Sequence, residues 1–548
     1  MNTTHGRGAG CIGMLCTASL LAPAAPAAAA EDARHPNLIV IIADDLPREL
    51  STYLPEGEGN ALMPTLDRLA REGAVLANMR SPSAVCTPSR FALLTGTYPS
   101  RCAHPWFESE TRQHGQPVVQ FNTHIVPGQE TVAAWLSDAG YATGAVGKNH
   151  VISAPGYQRL PYGADPNDPQ VATRLQRNAE AVEQAFLNAG FDSADALYHG
   201  NPDADGIRAL AVHNQEWLTD AAIRFIDRNA DEPFFLLMST TLTHGPYAPQ
   251  RGYKADPLIT AEGFLDTPLD VQAPRDTIDP RLQQAGVSGF NTGSVLWLDD
   301  AVDALMHRLA SHEIDDNTIM LFLSDHGMGA KGTCYEAAVR TSAFAWQKGG
   351  FGGPSVITAD LSLVDIAPTL LDLAGADLSP EDFDGQSFTT VLDGTTDAVR
   401  DYVYSEIGFS RAIMRDGMKY LALRYPEHVV NMSPDERRER LESSNARLRE
   451  RGIELITEDP SAPFSHLFII PGGHDTDRKA VSVYPAYHDA NQLYDLRRDP
   501  GEQHNLANDP AYADTLAELK ALLDRKVTEL PGTFGEFGHA AQDASQTP

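Results

Sequence analysis

Cysteine is scarce in this chain, with 5 residues in 548. Cys11 and Cys16 lie near the N-terminus, so only Cys86, Cys102 and Cys334 serve the remainder. A disulfide framework is excluded as the basis of the fold, and the sequence leaves open whether Cys102 pairs with Cys334. Positive charge is also short: Lys+Arg number 42 against 74 Asp+Glu, a net charge of -32. Such a field argues against nucleic acid or an anionic membrane as a partner. An anionic ligand would need a local cluster of cations. Long apolar runs are missing too. "LIVIIA" (Leu38 to Ala43) is far too short to span a bilayer, and nothing later is long enough.

What is present is an ordinary globular composition, 42% hydrophobic and 21% charged. The length suits one large domain with a smaller one. Residues 1–30 combine Arg7, a modest apolar stretch and the small residues Ala27 to Ala30, and read as an export signal. A periplasmic or extracellular protein is therefore expected.

Short, continuously apolar runs alternate with helical patterns. "HPNLIVIIADD", "GYATGAVGKNH", "EPFFLLMSTTLTHGP" and "NTIMLFLSDHG" suit strands buried on both faces. "MPTLDRLAREG", "VLWLDDAVDALMHRLASHEI" and "LVDIAPTLLDLAGA" suit helices. The alternation predicts an α/β domain with a large, mostly parallel sheet flanked by helices. After Asp397 the runs "YVYSEIG", "RAIMRDGMKYLALRY" and "QLYDLRRDP" predict a smaller α+β subdomain. The expected organisation is a catalytic domain over 31–396, a C-terminal subdomain over 397–535 and a disordered tail over 536–548. Segments 153–202 and 251–280, rich in Pro, Gly and Asp, read as long surface loops walling a cleft. The polar stretch 435–451 reads as a solvated helix.

Charged residues recur just after the expected strands, where open α/β sheets bind ligands. Asp44, Asp45, Asp325 and His326 offer hard oxygen ligands with one imidazole. Such acidic pairs also cap helices, so alone they do not define a site. Lys148, His150, His244 and Lys331 follow strands or sit in Gly-containing loops, and with Arg90 would supply the positive pocket the chain otherwise lacks. In "SPSAVCTPSRFALLTG", Pro88 reads as a helix start, placing Cys86 at the positive helix end and Arg90 on the same face.

"CTPSRFALLTG" resembles the Cys-x-Pro-x-Arg…Thr-Gly signature of the type I sulfatases, with Cys86, Pro88, Arg90, Thr95 and Gly96 at the fixed positions. "PTLDRLAREG", "GYATGAVGKNH", "AKGTCYEAAVR", "DGQS" and "LYDLRRDPGEQHNLA" resemble further landmarks in the family's order. The resemblance runs from about Asn37 to Ala507 and implies an alkaline phosphatase-like fold. It also implies that Cys86 is oxidised by a formylglycine-generating (sulfatase-maturating) enzyme to formylglycine, whose hydrated gem-diol is the nucleophile. The implied metal is Ca²⁺ in preference to Mg²⁺, held by Asp44, Asp45, Asp325 and His326, with the group derived from Cys86 completing the shell. Arg90 matches the arginine that stabilises the diol. Lys148, His244 and Lys331 match groups that bind sulfate or protonate the leaving oxygen, and His150 matches the base.

The resemblance implies hydrolysis of sulfuric esters. Sulfated carbohydrate is the expected substrate, with algal polysaccharide such as ulvan, or its oligosaccharides, as the specific expectation. Two other readings keep the architecture: a phosphonate or phosphate monoester hydrolase, and a non-catalytic glycan-binding relative. The chain departs from the family at several points. Asn149 replaces an aromatic between Lys148 and His150, which suggests altered substrate packing there. Ala337 and Ala338 replace glycines, which requires that neither position have positive φ. His326 stands where Asn is common. "LPREL" after Asp45 lacks the usual Gly and aromatic.

Overall fold

A computed structural model of the chain describes residues 35–539 apart from 204–205, 377–382, 451 and 472–475. The expected export signal and most of the expected C-terminal tail lie outside these residues. The strand Asn37–Asp44 runs through the centre of an eight-stranded sheet and is buried along its whole length. Its side chains alternate: Leu38, Val40 and Ile42 enter one hydrophobic core, and Ile39, Ile41 and Ala43 enter another. A period of two with apolar residues at both phases requires cover on both faces.

Across the sheet the order is Val356–Ile357, Ala74–Leu76, Ala343–Gln347, Thr318–Ser324, Asn37–Asp44, Phe234–Thr243, Ala142–Lys148 and Ser193–Tyr198. From Thr318–Ser324 to Ser193–Tyr198 every neighbouring pair is parallel. Ala343–Gln347 pairs antiparallel with both of its neighbours. Five parallel strands thus deliver their C-terminal ends to one edge, where the charged residues sit. The mostly parallel α/β sheet inferred from the alternating pattern is the observed architecture.

Val403–Ile407, Ser410–Arg415, Met418–Leu423 and Asn491–Asp495 form a four-stranded antiparallel sheet in sequence order. This smaller sheet is not an isolated body. Phe409, Ala412, Leu421 and Leu423 share a core with Leu38 and Val40. A buried ion network ties it to the large sheet's loops: Lys419 Nζ lies 3.1 Å from Glu336 and 2.9 Å from Glu502, while Arg80 holds Glu336 at 2.9 Å.

Segment 153–202, expected as loop, contains the twenty-residue helix Pro169–Asn188 and the strand Ser193–Tyr198. Its buried residues Leu175, Asn178, Val182, Ala185 and Phe186 fall at helical spacing, a period masked by the Pro, Gly and Asp of the flanking stretches. Its start signals are present: Asp168 caps the helix by accepting from Gln170 N, with Pro169 in the first turn. Segment 251–280 is largely irregular, with the small hairpin Ile259–Thr260 and Gly263–Phe264. The polar helix spans Pro434–Glu450 and buries Leu441 and Leu448. Cys86, Cys102 and Cys334 are all free thiols, so the pairing left open between Cys102 and Cys334 is not made.

Candidate active site

Asp44 ends the central strand and Asp45 follows it with φ 57°, in the left-handed region that Asp tolerates better than most residues. The backbone reversal sends the two carboxylates into different surroundings. Asp44 Oδ2 accepts from Lys148 Nζ at 2.6 Å, and its Oδ1 lies 3.2 Å from Arg90 Nη2. Burial raises this carboxyl's pKa, but Lys148, His244 and Arg90 outweigh it and hold the group well below the usual range. Asp45 instead accepts two hydrogen bonds from Lys331 Nζ, at 2.8 and 2.9 Å. His326 Nε2 lies 3.2 Å away and His244 Nε2 3.4 Å away.

The helix Cys86–Thr95 is buried throughout and begins at Cys86, two residues before Pro88. Gly96 closes it at φ 65°, a conformation that suits glycine. Cys86 Sγ lies 3.6 Å from His326 Nε2 and 3.7 Å from Lys331 Nζ. The helix end and the nearby lysines favour a thiolate, but burial dominates and pushes the thiol up. An unmodified Cys86 is therefore a poor nucleophile. One turn on, Arg90 Nη2 bridges Asp44 and Asp325, and its Nη1 donates to Ser239 Oγ.

Lys148 is the last residue of its strand, Ala142–Lys148. Gly147 next to it has φ 96°, and a Cβ there would meet Ser239 O at 2.1 Å. His150 has φ 57° and is held by the turn that Asn149 builds. Asn149 Oδ1 accepts from Val151 N and Ile152 N, and its Nδ2 donates to Ile152 O. Asn149 is thus buried in backbone contacts. Burial and the Lys148 charge push the His150 imidazole well below its ordinary value, so it is neutral. Its Nδ1 has no hydrogen-bond partner among the described residues. Ala337 and Ala338 lie within the helical turn Glu336–Val339 and neither has positive φ, which satisfies the condition set by the missing glycines.

Asp45, Cys86, Asp325 and His326 each offer a ligand atom within 4.8 Å of the others. His326 Nδ1 donates to Gly327 O at 2.8 Å, which leaves Nε2 free to face the carboxylates. Two carboxylates and one imidazole fit a hard divalent cation. Asp44 stands beside this group; Lys148 and Arg90 each occupy one lone pair of its carboxylate, and the other lone pairs remain for a cation. The ten residues singled out in the sequence therefore converge on one edge of the sheet. Sequence reasoning missed Ser239, which holds Arg90, and Asn201, whose Nδ2 lies 3.0 Å from His244 Nε2. Neither carries a local signal: Ser239 is a small polar residue in an apolar strand, and Asn201 lies in an irregular segment.

The sequence model of the family described as Sulfatase matches residues 36–376. The "Ulvan-active sulfatase" of Formosa agariphila is 26% identical over 522 residues, covering 90% of this chain and 75% of its own. A Bacteroides thetaiotaomicron structure, described with that organism's metabolism of multiple glycosaminoglycans, superposes with a TM-score of 0.57 at 21% identity. It covers 90% of this chain and 99% of its own. A phosphonate monoester hydrolase of Agrobacterium radiobacter gives a TM-score of 0.54 at 19% identity, over 90% of this chain and 96% of its own. Similarity at that level shows a shared fold and does not choose between sulfur and phosphorus.

Proposed function

Because this chain belongs to the sulfatase family, we propose that its sulfuric ester hydrolase activity is carried by Cys86 converted to formylglycine and by a divalent metal, Ca²⁺ in preference to Mg²⁺. The observation that carries the reading is the cluster of Asp45, Cys86, Asp325 and His326 at the C-terminal edge of the parallel strands, ringed by Arg90, Lys148, His244 and Lys331. Asp44, Asp45, Asp325 and His326 would hold the metal. Together the two groups supply Lewis-acid polarisation of the sulfate and a hydroxyl nucleophile at neutral pH.

The chain's own side chains supply the rest. Lys331 Nζ, between Asp45 and Cys86, and Lys148, beside Asp44, place positive charge where sulfuryl oxygens gain negative charge. Arg90 orients Asp44 and Asp325 and helps to hold Asp44 ionised. His244 is the partly exposed imidazole of the cluster. Its Nδ1 donates to Gly245 O at 3.0 Å, so the proton for the departing alcohol would come from Nε2 of the imidazolium form. His150, a neutral imidazole, accepts a proton as the cycle closes.

The substrate is a sulfated carbohydrate, and algal polysaccharide of the ulvan type is the specific proposal, supported by the likeness to the ulvan-active Formosa relative. Export follows from residues 1–30, and the maturating enzyme is the partner implied by Cys86. Among the described residues no helix is long and apolar enough to cross a membrane. Mass spectrometry of the Cys86 peptide from an export-competent host is expected to show the aldehyde. An unmodified thiol there would falsify the formylglycine reading. Matched sulfate and phosphate monoesters should be cleaved with sulfate preferred, and the opposite order would move the reaction to phosphorus.

A further inference from the structure

Large apolar side chains are seldom exposed here, yet two of the exposed ones touch each other beside the catalytic groups. Tyr247 is 45% exposed and Phe290 68% exposed. Their ring centroids are 4.9 Å apart at 56°, and Tyr247 stacks in turn on His244 with centroids 6.5 Å apart at 21°. The three rings form a ladder running from the proton donor to solvent. The outer rung is fixed in place. Asn291, next to Phe290, adopts φ 66° and donates from Nδ2 to Thr243 O at 2.6 Å, clasping the Phe290 loop to the strand end that carries His244.

The position of this pair limits what it can meet. A sulfate seated among Asp45, Cys86, Lys331 and His244 has its ester oxygen at His244, so the alcohol's own ring comes next and passes the next rungs. Aromatic faces are electron-rich and favour the weakly positive C–H groups of a ring laid against them. Two rings inclined to each other form a corner that cradles one ring and does not clamp a flat one on both sides. Neither Tyr247 nor Phe290 carries a charge, so the pair recognises the ring and not its charge.

We infer that Tyr247 and Phe290 are the platform on which the sugar ring bearing the scissile sulfate rests, making them specificity-determining residues of the leaving-group side. The inference rests on the carbohydrate reading above. It is tested with sulfated ulvan oligosaccharides as substrate and inorganic sulfate as a ring-free competitive inhibitor. Phe290 is exposed, so Phe290→Ala leaves the core intact. Phe290→Ala and Tyr247→Ala should each raise KM for the oligosaccharide about tenfold while leaving the inhibition constant of sulfate within about twofold, and Phe290→Trp should restore KM.

Wild-type enzyme that cleaves p-nitrophenyl sulfate but no sulfated sugar overturns the carbohydrate reading and, with it, the sugar as occupant. Wild-type enzyme that cleaves the sugar, with KM unchanged in both alanine variants, overturns the platform alone. A sulfate inhibition constant that shifts as far as KM also overturns it, by showing that the rings shape the sulfate pocket. So does an unchanged KM together with loss of a dimer on Phe290→Ala, which would seat a second copy there.

Discussion

Lys148 Nζ donates to Asp44 Oδ2 at 2.6 Å with both side chains sealed from solvent. Asp45, one residue on, is bound instead by Lys331, His244 and His326. The adjacent carboxylates thus answer to different cations: Asp44 to Lys148 and Arg90 on the sheet side, Asp45 to the groups around Cys86. The sheet brings this about by ending parallel strands at one edge, so that residues far apart in sequence meet there. In an interior this apolar, each charge is tolerable only because its partner is buried with it.

Lys148→Met is therefore expected to cost both activity and stability. Asp44 keeps Arg90 but loses its shorter partner, and breaking a buried pair costs about 3–5 kcal/mol when no other partner remains. With Arg90 still in place the lower end, about 3 kcal/mol, is expected from denaturant unfolding. Loss of one preorganised cation from the sulfuryl site should reduce kcat/KM by a factor of about 10²–10³. An active Lys148→Met enzyme would remove this lysine from the mechanism.

Asn149 leads to a second prediction. Its side chain makes three backbone hydrogen bonds that hold His150 at positive φ. Asn149→Ala should lower stability by about 2–3 kcal/mol, at roughly 1 kcal/mol for each bond, and should lower kcat more than it changes KM. Equal effects on kcat and KM would mean that Asn149 acts on substrate and not through His150. Installing the family's usual aromatic, Asn149→Phe, should fare worse than alanine, because the pocket is closed by backbone.

The reach of the sequence follows from where the information lies. The central strand, the two aspartates at its end and the helix beginning at Cys86 are each written in one contiguous stretch, so local pattern was enough. The Lys148, His244, Asp325 and Lys331 positions came from one further rule, that parallel sheets bind ligands at their C-terminal edge. What escaped is set by tertiary contact. Ser239 matters because Arg90 reaches it, and Tyr247 because Phe290 lies against it. The helix Pro169–Asn188 escaped for a different reason: the Pro, Gly and Asp around it read as loop, and the Asp168–Pro169 pair that starts it is also a turn signal.

His326 bears on metal choice. Its Nδ1–H is anchored by Gly327 O, so Nε2 enters the donor set as an imidazole nitrogen among carboxylate oxygens. His326→Ala should weaken metal retention by about 10–100-fold, read as metal content after dialysis against chelator. His326→Asn should retain the metal while reducing tolerance of softer divalent ions, because an amide oxygen replaces the nitrogen. Unchanged metal content in His326→Ala would exclude the residue from the ligand set.

The network joining the two sheets makes a pH prediction. Glu336 and Glu502 share Lys419, but Glu336 also has Arg80. Burial pushes both carboxyls up; for Glu336 the two cations outweigh it and hold the group down to about 2. Glu502 has only Lys419 and faces the Glu336 charge, and it is pushed up to about 7 from an ordinary 4.5. Between those values the folded chain keeps a proton at Glu502 that the unfolded chain has released. Stability from this group is full below about pH 4.5, falls as pH rises, and is gone above about 7, at a slope of at most about 1.4 kcal/mol per pH unit. Glu502→Gln cannot release that proton, and its amide still accepts from Glu336 N. Thermal unfolding from pH 5 to pH 8 should therefore show the variant gaining on the wild type as pH rises. Parallel melting curves for the two proteins would mean that Glu502 is ionised in the fold throughout that range.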